Sequence, residues 1–292
     1  MGTIWATPLD PGGDSLGMGA SRPGLSRSPC KLVLLVLSLS FLLPALFLGW
    51  VTCMLLVTDW RTREEVFYSH VLAGDALSVS EMLREQPELA ATAPGPKGIG
   101  PMPLHVAAQH GRAEIARLLL AKGAPVNLQD DMGMTPLLWA VSKDHGEVVK
   151  LLLAHGADVN IREHGGWCAM HWASARDDLL ITELLLQHGA EVELRKADGV
   201  TPLLTAVASG AMRTFGVLLA RGADLKARDN AGRTALHLAA QIHDDRMLRA
   251  ILDNPNCPDI QPKDVHGRTA LHMARQSRYQ PNIDLLTQRG AR

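Results

Sequence analysis

The sequence predicts an all-α solenoid of stacked helix pairs with a single transmembrane helix in front of it. Three observations carry this. A helix-start pair recurs every 33 residues, at Met102-Pro103, Thr135-Pro136, Cys168-Ala169, Thr201-Pro202 and Thr234-Ala235, with a sixth copy, Thr269-Ala270, after a step of 35. Apolar residues follow each start at i, i+3 and i+4, which is helical periodicity rather than strand alternation. The run from Leu32 to Thr58 holds no charged side chain. Self-similarity at a fixed period marks a stacked architecture with a long exposed face and no natural catalytic pocket.

Residues 1–30 are rich in Gly, Pro and Ser and poor in apolar runs, so they read as disordered. Residues 31–58 read as the membrane helix. Its core, residues 32–57, is about 26 residues long, against the roughly 20 that cross a bilayer. Trp50 and Trp60 fit an interfacial belt, and Pro44 predicts a tolerated kink. A cleaved leader would be shorter and would end in a small-x-small site, which this run lacks. Arg22, Arg27 and Lys31 lie before the span and Arg61 and Arg63 after it, a slight bias toward a cytoplasmic N-terminus. Cys30 stands where a membrane-proximal cysteine can be acylated.

Residues 62–92 read as a degenerate N-terminal capping repeat. Val71, Val79, Met82 and Leu83 give it a helix-pair pattern without the Thr-Pro start. A Pro/Gly-rich linker over 93–101 leads to six repeats spanning 102–292. In the second copy Thr135 serves as N-cap and Pro136 occupies the first helical position, where its missing N–H costs nothing. The first helix needs a left-handed residue at its end. Gly111, Asp144, Asp177 and Gly210 suit that slot, whereas His243 and Arg278 predict looser fifth and sixth turns. The second helix carries Ile115/Leu118/Leu119, Val148/Leu151/Leu152, Ile181/Leu184/Leu185 and Met247/Ala250/Ile251. Thr214 and Asn282 break that stripe in the fourth and sixth copies, with Phe215 and Ile283 placed to fill the gap. Gly-Ala pairs beginning at Gly123, Gly156, Gly189, Gly222 and Gly290 stop the second helix. The chain stops just past the last of them, so the polar sixth copy serves as its own cap.

This pattern resembles the ankyrin repeat. The matching stretches are Met-Pro-Leu-His from Met102, Thr-Pro-Leu-Leu from Thr135, Ala-Met-His-Trp from Ala169, and Thr-Ala-Leu-His from Thr234 and Thr269. The resemblance implies two antiparallel helices per repeat with a β-turn tip. It also implies protein binding through the tips and the concave first-helix surface, and an intracellular array. The last implication opposes the charge bias around the span, so the side that the repeats face stays open.

Formal net charge is −1, without the clustered basic excess of a nucleic-acid footprint. The four cysteines imply no disulfide framework. No phosphate loop, HExxH or nucleophile elbow is present, so neither an enzyme nor a cofactor or small-molecule substrate is expected. His164, Cys168 and His171 form the densest ligand cluster, but a structural zinc takes four ligands, and no metal is expected. His105, His171, His237 and His272 share one slot, which the resemblance makes structural. A cationic slot, read as Gln129, Arg162, Arg195, Arg228 and Lys263, is expected to pair with the next-door acids Glu163, Asp229 and Asp264.

Candidate binding residues lie on the tips. Met132, Met134, His164, Trp167, Val200 and Val265 are expected to face solvent, with Trp167 the preferred anchor because Trp dominates interface hot spots. The alternative for Trp167 is that it folds back on the neighbouring tip. Lys196, Arg233 and Arg268 join them at the tips, and His110, Lys143 and Arg176 at the first-helix ends. Trp139 and Trp172 share a first-helix slot with Val106, Leu238 and Met273 and read as core or semi-core. Two functional readings result: a membrane-anchored interaction scaffold, or a direct regulator of a membrane-bound enzyme or channel.

Overall fold

A computed structural model describes residues 63–92, 102–257 and 259–291. The expected disordered segment, membrane helix and linker lie outside these residues. Among the described residues no helix is long and apolar enough to cross a membrane, and all regular structure is helical.

Two helices, α1 (Arg63–Ala73) and α2 (Ala76–Glu85), open the array, followed by a 3-10 turn at Pro87–Ala91. Phe67, Val71, Val79 and Leu83 are buried between them and the first repeat. Six helix pairs follow: α3 (Pro103–Gln109) with α4 (Ala113–Ala121), α5 (Pro136–Ser142) with α6 (Gly146–Ala154), and α7 (Ala169–Arg176) with α8 (Leu179–Gln187). The second half holds α9 (Pro202–Ser209) with α10 (Met212–Ala220), α11 (Ala235–Gln241) with α12 (Asp245–Leu252), and α13 (Ala270–Ser277) with α14 (Gln280–Gln288). First helices stack on first helices and second on second. The core runs lengthwise through all the seams.

Sequence sets each boundary. Thr135 and Thr201 accept from the backbone N–H of Leu138 and Leu204, at 3.2 and 3.3 Å, and so cap α5 and α9. Ala107, Ala140, Ala173, Ala206, Ala239 and Ala274 are fully buried, which lets neighbouring first helices approach closely. Asp144 (φ 64°) and Asp177 (φ 53°) take the left-handed turn, as does Arg278 (φ 58°) in the sixth copy. Only the fifth copy declines it. There Ile242 is extended at φ −79°, ψ 141°, and α11 ends without that closure.

A side chain from the next repeat takes up carbonyls at that end. Asn282 is fully buried, and its amide donates to the carbonyls of Ile242 at 2.8 Å and of Ala239 and Ala240 at 3.3 Å. Its place in the apolar stripe is therefore a hydrogen-bonding position. Phe215 is buried beside Thr214, as the sequence suggests, but the buried Thr214 hydroxyl has no partner.

Candidate protein-binding face

The tips form a one-bond ladder. The N–H of His164, Ala197, Asn230 and Val265 donates to the carbonyl of Met132, Gly165, Asp198 and Ala231 in the preceding tip, at 2.9–3.2 Å. The approach is close: a Cβ at Gly166 would lie 2.7 Å from the Ala197 nitrogen. The donors of this row, His164, Ala197, Asn230 and Val265, are all exposed. Met132, in the first tip, is 52% exposed and Val265, in the last, 65%.

Met134 and Val200 do not face solvent. They are 6% and 4% exposed, because the residue before the N-cap turns under the tip toward the core. Arg233 and Arg268 share that slot. They reach Asp229 and Asp264 at 2.7 and 2.8 Å, with the carboxylates 1% and 0% exposed. Both cations are thus held within their own tips. Trp167, also in this slot, folds back. Its ring lies 4.6 Å from that of Trp172, tilted by 33°.

The cationic slot works otherwise than expected. Arg195 donates to the carbonyl of Gly199 in its own tip at 3.0 Å and to that of Arg228 at 2.7 Å. Arg228 does the same to Gly232 and Lys263, and Gln129 to Gly133 and Arg162. Arg162 reaches the Arg195 carbonyl at 3.1 Å. These side chains tie each tip to the next through backbone acceptors. The neighbouring acids are engaged elsewhere. Asp130, Glu163, Asp229 and Asp264 each accept the N–H groups two and four residues on, closing their own turns.

Lys196 stands in that acid slot in the third tip, and its chemistry is inverted. Its ammonium lies 4.3 Å from the Trp167 ring centroid and 3.5 Å from Asp198, with the side chain only 7% exposed. Asp198 takes over part of the missing duty by accepting from the Val200 N–H at 3.2 Å. Trp172 and Trp139 are partly buried against the core, as their shared slot suggests. Trp139 donates its indole N–H to Asp130 at 2.8 Å, while that of Trp172 is buried without an acceptor.

Beneath the tips the shared histidines act as struts. Nδ1 of His105, His171, His237 and His272 accepts from the N-cap backbone N–H. That fixes the proton on Nε2, which in the first three donates to a carbonyl of the next tip. Burial pushes the His171 pKa down to about 4 and lowers those of His105 and His237. Cys168 lies 3.0 Å from His171 Nδ1. Its thiol is fully buried and its pKa raised by burial, so the pair caps a helix and lacks the thiolate of a reactive cysteine.

At the inner rim His110 and Lys143 are exposed. Arg176 is exposed but bridges to Asp144 at 2.9 Å, and Arg213 reaches Asp177 at 3.2 Å. Of the sequence candidates, the structure leaves Met132, His164, Val265, His110, Lys143 and Arg176 on the surface and joins Trp167 to Lys196. Among the described residues no group of His, Cys, Asp or Glu is arranged to hold a metal ion. The family model described as ankyrin repeats (3 copies) matches residues 71–163, 161–229 and 214–292. No curated protein matches the sequence.

Proposed function

The chain belongs to the ankyrin-repeat family, and from that premise we propose that it is a membrane-anchored scaffold that captures a protein partner along its tips. Ankyrin repeats indicate a protein-interaction module. The tip reading rests on one observation: the donor slot of the tip ladder is exposed from His164 to Val265, with Met132 beside it, while the slot behind it is spent on internal contacts. Exposed apolar side chains beside a polar row are the composition of an interface rim around small anchors. The anchor reading rests on the uncharged run at 32–57. The side of the membrane that the repeats face is part of what experiment must supply.

The test identifies partners by proximity labelling from the full-length chain, then measures their affinity for Met132→Asp and Val265→Asp. A tenfold or greater loss is expected, and unchanged affinity for both variants rejects the tips. Alkaline extraction should leave the chain with membranes, and release into the soluble fraction rejects the anchor. Protease accessibility of the repeats in sealed vesicles reports the side. The second reading, direct control of a membrane-bound enzyme or channel, needs anchor and repeats on one target. It loses support when an unrelated membrane helix replaces residues 31–58 without loss of activity.

A further inference from the structure

The seams between repeats are not equal. On the side away from the tips, one residue of each repeat clips the loop of the next. Asn127 accepts from the Asp158 N–H and donates to the Gly156 carbonyl. Asn160 does the same to Glu191 and Gly189. Glu193 accepts from Asp224 at 2.8 Å, and Gln261 donates to Gly290. The fourth copy puts Lys226 in this slot. An ammonium cannot accept a hydrogen bond, and the facing loop, two residues longer than the others, has no Gly-Ala stop. An open cavity of about 590 Å³ lies there between the end of α10 and the loop, lined by Leu219, Leu225, Lys226, Asn254, Pro255 and Asn256, against about 480 Å³ at the equivalent position of the preceding seam, beside Glu193.

Two further observations bear on the same seam. α10 and α12 touch least of all the neighbouring second-helix pairs. On the far side, α11 ends without the left-handed closure, and its last carbonyls accept from Asn282 of the sixth repeat. Asn282 therefore straps the fifth repeat to the sixth and not to the fourth. The tip side of the seam stays closed, through Val265 N–H on the Ala231 carbonyl and Arg228 on that of Lys263.

We propose that the seam between the fourth and fifth repeats is a built-in joint: repeats one to four and five to six are two rigid blocks that part on the loop side and pivot on the tips. In a one-dimensional array each interface contributes its own coupling, so the weakest one sets where the array opens. Opening there changes the curvature of the whole tip row, and it lets repeats five and six unfold as one unit while repeats one to four stay folded.

Hydrogen exchange on the full-length chain tests this, because sub-global opening gives a contiguous block one common rate. The buried amides of α12 and α14 are expected to exchange together, at least tenfold faster than those of α6 and α8. Fraying from the end would instead make α14 at least tenfold faster than α12, and a uniform rate across α6 to α14 would mean equal seams. Either result overturns the joint. In Asn282→Leu the strap is lost, and α14 should then exchange faster than α12. A common rate that survives this substitution overturns the two-repeat block.

Discussion

The ammonium of Lys196 sits 4.3 Å from the ring centroid of Trp167 in the preceding tip. The pair spans a seam, and it exists because the third tip has a cation where the others have an acid. A desolvated cation–π contact contributes about 1–2 kcal/mol. A double-mutant cycle of Lys196→Met and Trp167→Leu, read by urea unfolding, should give a coupling of about 1 kcal/mol. Additive effects would mean that Lys196 serves only Asp198.

His171 predicts an acid weakness. Its folded pKa of about 4 lies below the ordinary 6.5, so the unfolded chain binds the proton first. Its contribution is complete above pH 6.5, declines as pH falls, and is gone near pH 4. At pH 5 the loss from this one residue is roughly 2 kcal/mol, at 1.36 kcal/mol per unit. Protonation would also place a hydrogen on Nδ1 against the Cys168 N–H. NMR should show the His171 ring neutral at pH 5. In His171→Gln the fall in unfolding free energy between pH 7 and 5 should shrink by about that amount, and an unchanged slope would contradict the assignment.

Thr214 offers a gain. Its hydroxyl is buried without a partner, while its backbone N–H donates to Asp177 at 2.9 Å. Valine keeps the shape and removes the unsatisfied oxygen, and a lone buried polar group costs about 1–3 kcal/mol. Thr214→Val should raise the unfolding free energy by about 1 kcal/mol in a urea titration. A loss of stability would show that the hydroxyl is satisfied in solution.

Much of this fold is written at the level of single slots. The period, the Thr-Pro starts and the left-handed Asp144 and Asp177 turns follow from residue type alone, since each has a local backbone reason. The tips were less legible. Whether Met134 points in or out depends on how the tip folds under itself, and no periodicity reports that. The cationic slot misled for a related reason. Sequence adjacency of Arg228 and Asp229 suggests a pair, but in the turn they face different partners: Arg228 reaches forward to the next tip while Asp229 bonds back into its own. One signal was available. Aligning the slot Asp130, Glu163, Lys196, Asp229, Asp264 shows a single reversed charge, and the Trp167 cluster is where it lies. Asn282 was hidden because its carbonyl partners, at the end of α11, are 40–43 residues away.

The two readings of the cationic slot separate cleanly at Arg195. If its role is to tie tips through backbone carbonyls, charge is incidental and reach is what counts. Gln129 already performs that role uncharged in the first tip, bonding to Gly133 and Arg162 at 2.7 and 2.9 Å. Arg195→Gln should therefore retain most of the seam, and Arg195→Leu should cost about 1 kcal/mol, discounted from the usual value for a charged donor because the site is exposed. Salt is the second axis. Raising ionic strength from 0.05 to about 0.5 M screens exposed ion pairs but leaves bonds to carbonyls largely intact. The difference in unfolding free energy between Arg195 and Arg195→Leu should hold across that range. If it vanishes in salt, the guanidinium is paired with an acid in solution and the carbonyl ladder is not what joins the tips.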